Sequence, residues 1–450
     1  MKLTSYSQAV ASLESLQNLP IPQYMKDPAA CAAYLKRLKW LLDQLDNPEK
    51  HLRFIHVAGT SGKGSVTVML HEILRAAGYR VGSYYSPYVS AITERFRFDN
   101  KLIHPDDFVA ATNIVLPEVE RAITECPHGA TSFFETLVAI ALVYFKQKKC
   151  DWVVLETGCG GDFDATNIIS APVLAIITSI GLDHTEILGN TKSIIAKRKA
   201  GIFKKGSTAI IGEEDPHVAR ELKRYAEKAH AKKIIACESI AEKDIRADKR
   251  GTSFNYNNRA WHTRMTGTFQ AHNARIAIEA ARALHIDTAS IELGLAEARL
   301  PGRFEIMQES PVIILDGAHN HDKINGLADT LAALYRGRPL SFLVAATNNT
   351  GKLEMFTTLF RRATRIAITR FTTNHRPALD PKMLYDKAKK INPKAEKKLF
   401  LHPHDGLQWL MRKAKENEII IVTGSLFLIG DVRGRWMPEE KIITKQKSFV

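Results

Sequence analysis

The sequence lacks the features that mark membrane, secreted and zinc-binding proteins. It has no run of the ~18 apolar residues that a transmembrane helix requires, and its first residues, MKLTSYSQAVASLESL, lack the apolar core of a secretory signal. The five cysteines are scattered without C-x-x-C spacing, which predicts reduced thiols and neither a disulfide framework nor a zinc site. We therefore expect a cytoplasmic protein with no membrane partner.

Acidic residues are scarce relative to basic ones, 48 against 63, and the formal net charge is +15. Much of this charge lies in lysine clusters at predicted helix ends and turns, where lysines are usually exposed to solvent. The alternative interpretation is that the positive charge attracts polyanions. ATP or a polycarboxylate would satisfy that charge as well as nucleic acid would. Aromatic residues do not alternate with the basic runs, so we expect no nucleic-acid partner. The length of 450 residues and the hydrophobic content of 45% predict a globular chain of two or three domains.

The glycine-rich segment RFIHVAGTSGKGSV, residues 53–66, carries the strongest signal. An apolar, β-prone run precedes the glycines and a helical pattern follows them, which is how proteins hold a polyphosphate. The glycines free backbone N–H groups to face phosphate oxygens, Lys63 can offset phosphate charge, and the Ser65 hydroxyl can bind magnesium. The spacing, G-x-x-G-K-G-S, differs from the ordinary G-x-x-x-x-G-K-[ST]. The segment predicts an ATP site, and the alternative is a glycine-rich turn with an accidental lysine.

Strand-like and helix-like patterns alternate along the chain, which predicts parallel, doubly wound α/β sheets. A polar stretch at residues 241–268 has β-like alternation and predicts a small appended sheet. Pro301 and Gly302 interrupt a helical pattern, so residues 299–305 are the best linker candidate before a second α/β series. We therefore predict two nucleotide-fold-like domains, with the functional site in the cleft between them.

Polar side chains follow several predicted strands. Glu156 ends one apolar strand and His184 follows another, and open α/β sheets bind ligands at such strand ends. Taken singly, Glu156 is equally a turn residue and His184 is more often structural, but the arrival of Ser65, Glu156 and His184 at one edge favours a magnesium site. In the second α/β series, the Asp316 carboxylate could accept a hydrogen bond from a nucleotide. His319 could reach a phosphate or a substrate carboxylate. A capped turn is the alternative there.

These segments together resemble the folylpolyglutamate synthase/dihydrofolate synthase branch of the Mur ligases. The motifs run in order from residue 53 to 433: HVAGTSGKGSV, SPYVSAITERFRF, TSFFETLVAIAL, VVLETGCGGDFDATN, ITSIGLDHTEILGNT, IAKRKAGIFK, PGRFE, LDGAHN and VTGSLFLIGDVR. The resemblance implies an α/β fold with a P-loop ATPase domain containing a parallel sheet at residues 1–300. A smaller Rossmann-like, glutamate-ligase domain would follow at residues 301–450.

The chemistry that the resemblance implies is ATP-dependent ligation of L-glutamate to a folate. A carboxylate takes the γ-phosphoryl group to give an acyl phosphate and ADP, and the amine of the amino acid then attacks that carbonyl and expels phosphate. The implied cofactors are ATP and two magnesium ions, and we expect a monomer. Two alternatives stay open. One is dihydrofolate synthase activity, alone or combined with the first, and the other is a P-loop ATPase that nucleic acid stimulates.

The resemblance also assigns residues by position. The residues that bind the nucleotide would be Gly59, Thr60, Ser61, Gly62, Lys63, Gly64, Ser65, Asn273, Arg303 and Asp316. The metal ligands would be Ser65, Glu156, His184 and a carbamylated Lys199, whose carbamate could bind the second magnesium. The catalytic residues would be Lys63, Lys199 and His319, and the residues in contact with substrate would be Ser86, Phe134, His319 and Ser425.

The chain departs from the family pattern at several positions. Where the family pattern has asparagine, this chain has Ser61, and where it has arginine-leucine, this chain has Asp162-Phe163. Arg198 replaces an acidic residue, Phe269 replaces histidine and Phe427 replaces tyrosine. None of these departures removes a metal ligand or the P-loop lysine. We expect the Arg198 guanidinium to favour a neutral amine at Lys199 and then to stabilise the carbamate.

Overall fold

The computed structural model describes residues 2–16, 28–348, 353–372 and 377–449. Contacts divide the chain into two compact units. Unit 1 comprises Met1–Tyr88, Ile92–Ile240 and His272–Arg299, and unit 2 comprises Val89–Ala91, Ala241–Ala271 and Leu300–Val450. Two stretches that precede residue 300 therefore group with unit 2, and the predicted domain boundary at that residue stays a prediction.

Unit 1 contains a mostly parallel sheet. Its strands are β1 (Phe54–Ala58), β2 (Val81–Tyr84), β3 (Phe96–Phe98), β4 (Lys101–Leu102), β5 (Trp152–Glu156), β6 (Leu174–Ile177), β7 (Thr208–Ile211) and β8 (Lys233–Ala236). They lie in the order β4-β3-β2-β5-β1-β6-β7-β8, and the β2–β3 and β3–β4 pairings are antiparallel. Strand β1 is buried along its whole length, as expected of a central strand covered on both faces.

Helices flank this sheet. They are α1 (Tyr6–Ser15), α2 (Pro28–Gln44), α3 (Lys63–Ala76), α4 (Pro105–Glu125), α5 (Phe133–Gln147), α6 (Thr185–Leu188), α7 (Lys192–Lys199), α8 (Pro216–Lys228), α9 (Phe269–Ala283, which begins in a stretch of unit 2) and α10 (Thr288–Glu297). Helix α5 begins with a capping box, in which Ser132 and Glu135 each accept the other's backbone N–H. Its residues 135–145 are all buried, so α5 forms much of the core on one face of the sheet.

Unit 2 contains two sheets. The first is antiparallel, in the order β11-β10-β9, and consists of β9 (Ile245–Asp248), β10 (Gly251–Tyr256) and β11 (Arg259–Thr263), which confirms the predicted small sheet. The second has the order β12-β13-β17-β14-β15-β16 and consists of β12 (Glu305–Glu309), β13 (Val312–Asp316), β14 (Leu340–Val344), β15 (Ala363–Ile368), β16 (Glu396–Leu399) and β17 (Ile419–Thr423). All its pairings except β12–β13 are parallel.

Helices cover both faces of the larger sheet of unit 2. They are α11 (His321–Leu334), α12 (Thr357–Arg361), α13 (Pro381–Ile391), α14 (Pro403–Lys413), α15 (Leu426–Arg433) and α16 (Glu439–Lys445). Val312 and Ile314 of β13 pack in one apolar cluster, whereas Ile313 and Leu315 pack in another, because successive side chains of a strand point to opposite faces. The two units confirm the predicted α/β class. Among the described residues, no helix is both long enough and apolar enough to cross a membrane.

A buried ion pair joins α2 to the first turn of α5. Arg37 Nε lies 2.8 and 2.9 Å from the two carboxylate oxygens of Glu135, and Arg37 Nη2 lies 2.6 Å from Oε2. Both side chains are 4% exposed. Because neither charge is hydrated, removal of one partner should leave the other buried and uncompensated.

We predict that Glu135→Gln lowers the free energy of unfolding of unit 1 by about 3–5 kcal/mol, since the Arg37 charge loses its counter-charge. Asp386→Asn is the matched control, because it breaks the exposed Lys382–Asp386 pair, and it should cost less than about 1 kcal/mol. Urea unfolding of the two variants measures both losses. Equal losses would contradict the importance of burial for the Arg37–Glu135 pair.

Candidate active site

Neighbouring strands of unit 1 end at the same edge of the sheet. Strand β1 lies between β5 and β6, and its Val57 lies opposite Glu156, the last residue of β5. The glycine-rich loop that follows β1 is therefore flanked by Glu156 and by the segment that follows β6. That segment leads to His184, which precedes α6 with a left-handed φ of 51°. The strand order thus agrees with the predicted meeting of Glu156, His184 and the loop, and their binding of a metal stays a prediction.

The glycine-rich loop is held by the segment that follows β6. Thr60 donates its backbone N–H to Ser179 O at 2.7 Å, and Thr178 Oγ1 donates to Ser61 O at 2.6 Å. The Ser61 hydroxyl is buried and has no hydrogen-bond partner in the described part of the chain. Buried polar groups normally find partners, so this hydroxyl fits a loop that accepts a polar ligand.

The loop ends where helix α3 begins. Lys63, Gly64 and Ser65 form the first turn of α3, whose free N–H groups and dipole favour an anion. Gly62 has a φ of +85°, and a Cβ there would lie 2.2 Å from Asn273 Oδ1, so glycine is required. Asn273, which the resemblance assigns to the nucleotide, therefore lies against the loop.

Two lysines converge on one carbonyl of the loop. Lys63 Nζ donates to Gly59 O at 3.1 Å, and Lys199 Nζ donates to the same oxygen at 2.8 Å. Lys199 is the last residue of α7 and is 4% exposed. Burial and, next, the positive charge of Lys63 lower the pKa of Lys199 from 10.5 to about 8. The structure thus brings together the two lysines that the resemblance implies are catalytic.

Arg198, the neighbour of Lys199, forms an ion pair with a residue of the loop that follows β5. Its Nη1 donates to Asp162 Oδ2 at 2.8 Å, so the guanidinium faces the loop that follows β5. The cation that contributes most to the lowered pKa of Lys199 is Lys63. The Asp162 carboxylate binds the guanidinium and offsets its charge, so the effect expected of Arg198 on the Lys199 amine stays a prediction.

Ser86 and Phe134, which the resemblance assigns to substrate, lie near Glu156. Glu156 is 4% exposed, and its Oε2 accepts from the Ser86 N–H at 3.3 Å. Phe134 packs against Gly158, where a Cβ would lie 2.6 Å from the ring, and its centroid lies 6.1 Å from that of Tyr84. The polar and aromatic residues of the predicted substrate site therefore gather around the end of β5.

A buried hydrogen-bond chain that the sequence did not reveal supports the loop after β5. Asp164 accepts from the N–H groups of Cys159 and Thr166 at 2.8 and 3.0 Å and from Thr166 Oγ1 at 2.6 Å. Because Thr166 donates its hydroxyl to Asp164, it accepts from His56 Nε2–H at 2.8 Å. His56 Nδ1 is buried without a partner among the described residues. The available signal was Asp164 two residues before Thr166, which is typical of a helix cap.

In unit 2, Asp316 ends β13 and is 4% exposed. Its Oδ2 accepts from Phe304 N–H at 2.8 Å, and its Oδ1 accepts from Ala318 N–H at 2.9 Å. Burial raises the pKa of Asp316, and the positive charge of Arg303 opposes that rise. Arg303 and Asp316, both assigned to the nucleotide by the resemblance, thus lie close enough to interact. The two backbone bonds also fit the alternative of a capped turn.

His319 and Ser425 have local partners. His319 Nδ1 lies 2.8 Å from Gly317 O, and His319 Nε2 lies 3.0 Å from Lys323 Nζ. We assign the proton to Nδ1, because a carbonyl accepts and an ammonium donates. Lys323 was not predicted, although it follows His319 by one helical turn. Ser425 caps α15 by accepting from Phe427 N–H at 3.2 Å, and the substrate roles of His319 and Ser425 stay predictions.

The donor set predicted for magnesium consists of one hydroxyl, one carboxylate and one imidazole, from Ser65, Glu156 and His184. Within the described ranges, no group of three or more His, Cys, Asp or Glu side chains could hold a metal ion. The predicted set includes two residues of those types, so a hydroxyl and phosphate oxygens would have to complete the coordination. The oxygen ligands of this set fit magnesium that protein and nucleotide bind jointly.

Comparisons with known proteins cover most of the chain. The Mur ligase middle domain matches residues 57–281, and the dihydrofolate synthetase C-terminal domain matches residues 303–435. The dihydrofolate synthase/folylpolyglutamate synthase of Bacillus subtilis is 36% identical over 415 residues, which are 89% of this chain and 94% of that relative. The folylpolyglutamate synthase of Mycobacterium tuberculosis, solved with ADP and AMPPCP, aligns with a TM-score of 0.85 at 27% identity, over 95% of this chain and 99% of that one. A bifunctional folylpolyglutamate synthase/dihydrofolate synthase with Mn, AMPPNP and L-glutamate bound aligns with a TM-score of 0.78 at 26% identity, over 97% and 98%.

We predict that protonation of His56 destabilises the protein in acid. Burial and, secondarily, Lys204 lower the pKa of His56 from 6.5 to about 3. Between these values the unfolded chain binds a proton that the folded protein does not. The free energy of unfolding therefore falls as the pH falls from 6.5 towards 3, by up to about 5 kcal/mol.

His56→Gln removes this titration and keeps an amide that can donate to Thr166. The difference in free energy of unfolding between wild type and variant should shift by about 3 kcal/mol in favour of the variant as the pH falls from about 6.5 to about 4. Urea unfolding across this interval measures the difference. A constant difference would contradict the assignment of the acid sensitivity to His56.

Proposed function

The chain belongs to the folylpolyglutamate synthase/dihydrofolate synthase family of the Mur ligases, and from that membership we infer that it is an ATP-dependent ligase that adds L-glutamate to folates. The acceptor carboxylate takes the γ-phosphoryl group of ATP, and the amine of glutamate then displaces phosphate from the acyl phosphate. Solved relatives hold ADP, AMPPCP, AMPPNP, manganese and L-glutamate, which supports ATP, a divalent cation and glutamate as ligands here.

The observation that carries this function is the meeting of Lys63 and Lys199 on the Gly59 carbonyl. The Lys63 ammonium group at a glycine-rich turn, beside the first turn of α3, forms an anion-binding surface, and the shared contact with Gly59 O places Lys199 next to it. We propose that residues 59–65 bind the phosphates of ATP as a P-loop. Lys63 would offset the charge that develops on the transferred phosphoryl group.

Ser65, Glu156 and His184 would hold a magnesium ion together with ATP. When bound, the ion offsets the crowded phosphate charge and orients the γ-phosphoryl group. The Ser86 N–H supports this role, since its bond to Glu156 Oε2 orients the carboxylate at the strand end. Burial of Glu156 further strengthens its attraction for a cation, because little water competes for the carboxylate.

Lys199 would react with CO₂ to give a carbamate. The neutral amine forms the new C–N bond and loses one proton, so an anion replaces a cation and can bind a second magnesium. A pKa of about 8 supports this step, because about a tenth of the amine is then neutral at pH 7. At an ordinary pKa of 10.5 the neutral fraction would be roughly one in 3,000.

The acceptor would bind near Ser86 and Phe134, where an aromatic face can stack on a flat ring. A second candidate function, dihydrofolate synthase activity, is supported by the Bacillus subtilis relative, whose name includes both activities. Both reactions join glutamate to a carboxylate of the acceptor. The two activities therefore differ in the acceptor that they prefer.

The remaining assigned residues would serve nucleotide and glutamate. We propose that Asn273, Arg303 and Asp316 contact the nucleotide, and that His319 and Ser425 handle glutamate and phosphate. The contact between Asn273 and Gly62 supports the first assignment, because it places the amide against the loop that binds phosphates. The bond between His319 and Lys323 supports the second, since it couples the imidazole to an ammonium group that attracts anions.

Phosphate release from ATP in the presence of Mg²⁺, L-glutamate and either tetrahydrofolate or dihydropteroate tests the function. We expect release to require both organic substrates, because the acyl phosphate needs an acceptor carboxylate and its breakdown to amide needs the amine. The preferred acceptor separates the two candidate activities. Release that depends on DNA or RNA and not on glutamate would replace the ligase by a nucleic-acid-stimulated ATPase.

Lys63→Ala and His184→Ala should each lower kcat by about 10²-fold or more, since each removes a group that stabilises the transferred phosphoryl group. Lys382→Ala alters an exposed lysine of unit 2 and should keep the wild-type kcat. Circular dichroism and the midpoint of thermal unfolding verify that the variants fold. Wild-type rates in either site variant would contradict the phosphate and metal assignments.

The carbamate at Lys199 predicts a dependence on bicarbonate. Activity of the wild-type enzyme should fall in CO₂-depleted buffer and recover when bicarbonate is added, and recovery should become faster as the pH rises from about 7 to about 8.5, because the neutral amine attacks CO₂. Labelling with ¹³C-bicarbonate should give a carbamate resonance that is absent in Lys199→Met. Identical spectra of the two proteins would contradict the modification.

A further inference from the structure

The loop that follows β5, residues 158–167 (the β5 loop), is bonded twice to the last turn of α7. Arg198 Nη1 donates to Asp162 Oδ2 at 2.8 Å, and the Asp162 N–H donates to Arg198 O at 2.9 Å. The same two residues are therefore joined through their side chains and through their backbones. Neither residue has a role in the chemistry proposed above.

The fit between these two segments is close. A Cβ at Gly161 would lie 2.6 Å from Lys199 O, so any larger residue would push the segments apart. Asn167 Nδ2 donates to Asp162 O at 3.0 Å and to Gly201 O at 3.2 Å, and so binds both segments at once. The β5 loop is thus seated directly on the backbone that carries Lys199.

The ion pair is also shielded. Asp162 and Arg198 are each 25% exposed, and the Arg198 guanidinium lies 5.6 Å from the centroid of the Phe163 ring. A charge held between a carboxylate and an aromatic face has few alternative positions. The pair therefore restrains the rotation and translation of the α7 terminus relative to the β5 loop.

Both segments lead directly to the active-site candidates. The β5 loop begins two residues after Glu156, and Lys199 follows Arg198 and donates to Gly59 O. We infer that the Asp162–Arg198 pair is a positioning device that sets where Lys199 stands relative to Glu156 and the glycine-rich loop. The inference rests on the proposed function, in which Lys199 and Glu156 serve the same reaction.

The other end of α7 offers a matched control. Lys192 forms an ion pair with Asp215 at 3.2 Å, which joins the start of α7 to the N-cap of α8. This pair lies on the same helix but seven residues from Lys199. Loss of the Lys192 charge should therefore affect the stability of α7 without displacing Lys199.

Charge reversal and charge exchange test the inference. Asp162→Arg and Arg198→Asp should each lower kcat about tenfold or more, leave KM for ATP within about twofold, and reduce the ¹³C-carbamate resonance. The double variant Asp162→Arg/Arg198→Asp restores opposite charges and should recover most of kcat and of the resonance. Lys192→Gln should match wild type in all three measurements.

Two further measurements keep the outcome decisive. Asp162→Asn retains the backbone bond and is used in place of the charge-reversed variants if these do not fold. The affinity for Mn²⁺ in the presence of ADP reports whether the metal site is intact, without requiring turnover. Single variants with wild-type kcat, resonance and Mn²⁺ affinity would overturn the inference. The inference would also be overturned if the double variant Asp162→Arg/Arg198→Asp regained thermal stability but neither kcat nor the resonance. A wild-type protein without the resonance would refute the carbamate, and the kcat/KM split and Mn²⁺ affinity would then decide the positioning role separately.

Discussion

The lateral order of β5, β1 and β6 is the constraint on which the active-site candidates depend. Parallel strands end at one edge of a sheet, so the loop after β1 has to lie between the carboxylate that ends β5 and the segment that follows β6. The ladder of backbone hydrogen bonds makes these ends rigid. Thr178 and Ser179 then hold the loop itself, and the lysine of α7 meets it at Gly59. The hydroxyl of Thr60, a residue of the loop, adds a bond to Gly181 O at 3.1 Å.

Burial is the second physical factor in the molecule, because it shifts the pKa of several groups beside the loops. It lowers the pKa of Lys199 and His56, and it raises the pKa of Asp164 and Asp316. Each direction follows from the cost of a charge where water is excluded. For Lys199 the lowered pKa raises the fraction of neutral amine, which supports the proposed carbamate. For His56 and Asp164 the consequence is structural, because neutral or hydrogen-bonded groups hold the β5 loop in place.

Two of the departures from the family pattern, Asp162 and Arg198, are in contact in the structure. In the sequence, Asp162 and Arg198 are two unrelated substitutions, 36 residues apart. In the fold they face each other and form one ion pair. No local pattern could reveal this, because the contact is created by the packing of α7 on the β5 loop.

The amino-acid pattern by itself determined the α/β class, the small antiparallel sheet before α9, the glycine-rich loop and the order of the family motifs, since periodicity and glycine spacing act over a few neighbouring residues. Only the tertiary structure revealed the hydrogen bonds that link His56 through Thr166 to Asp164. The same holds for the bond between His319 and Lys323 and for the contact of Lys63 and Lys199 with the Gly59 carbonyl. These features depend on which distant segments pack together and on how far they exclude water, and neither quantity is encoded in the spacing of residues along the chain.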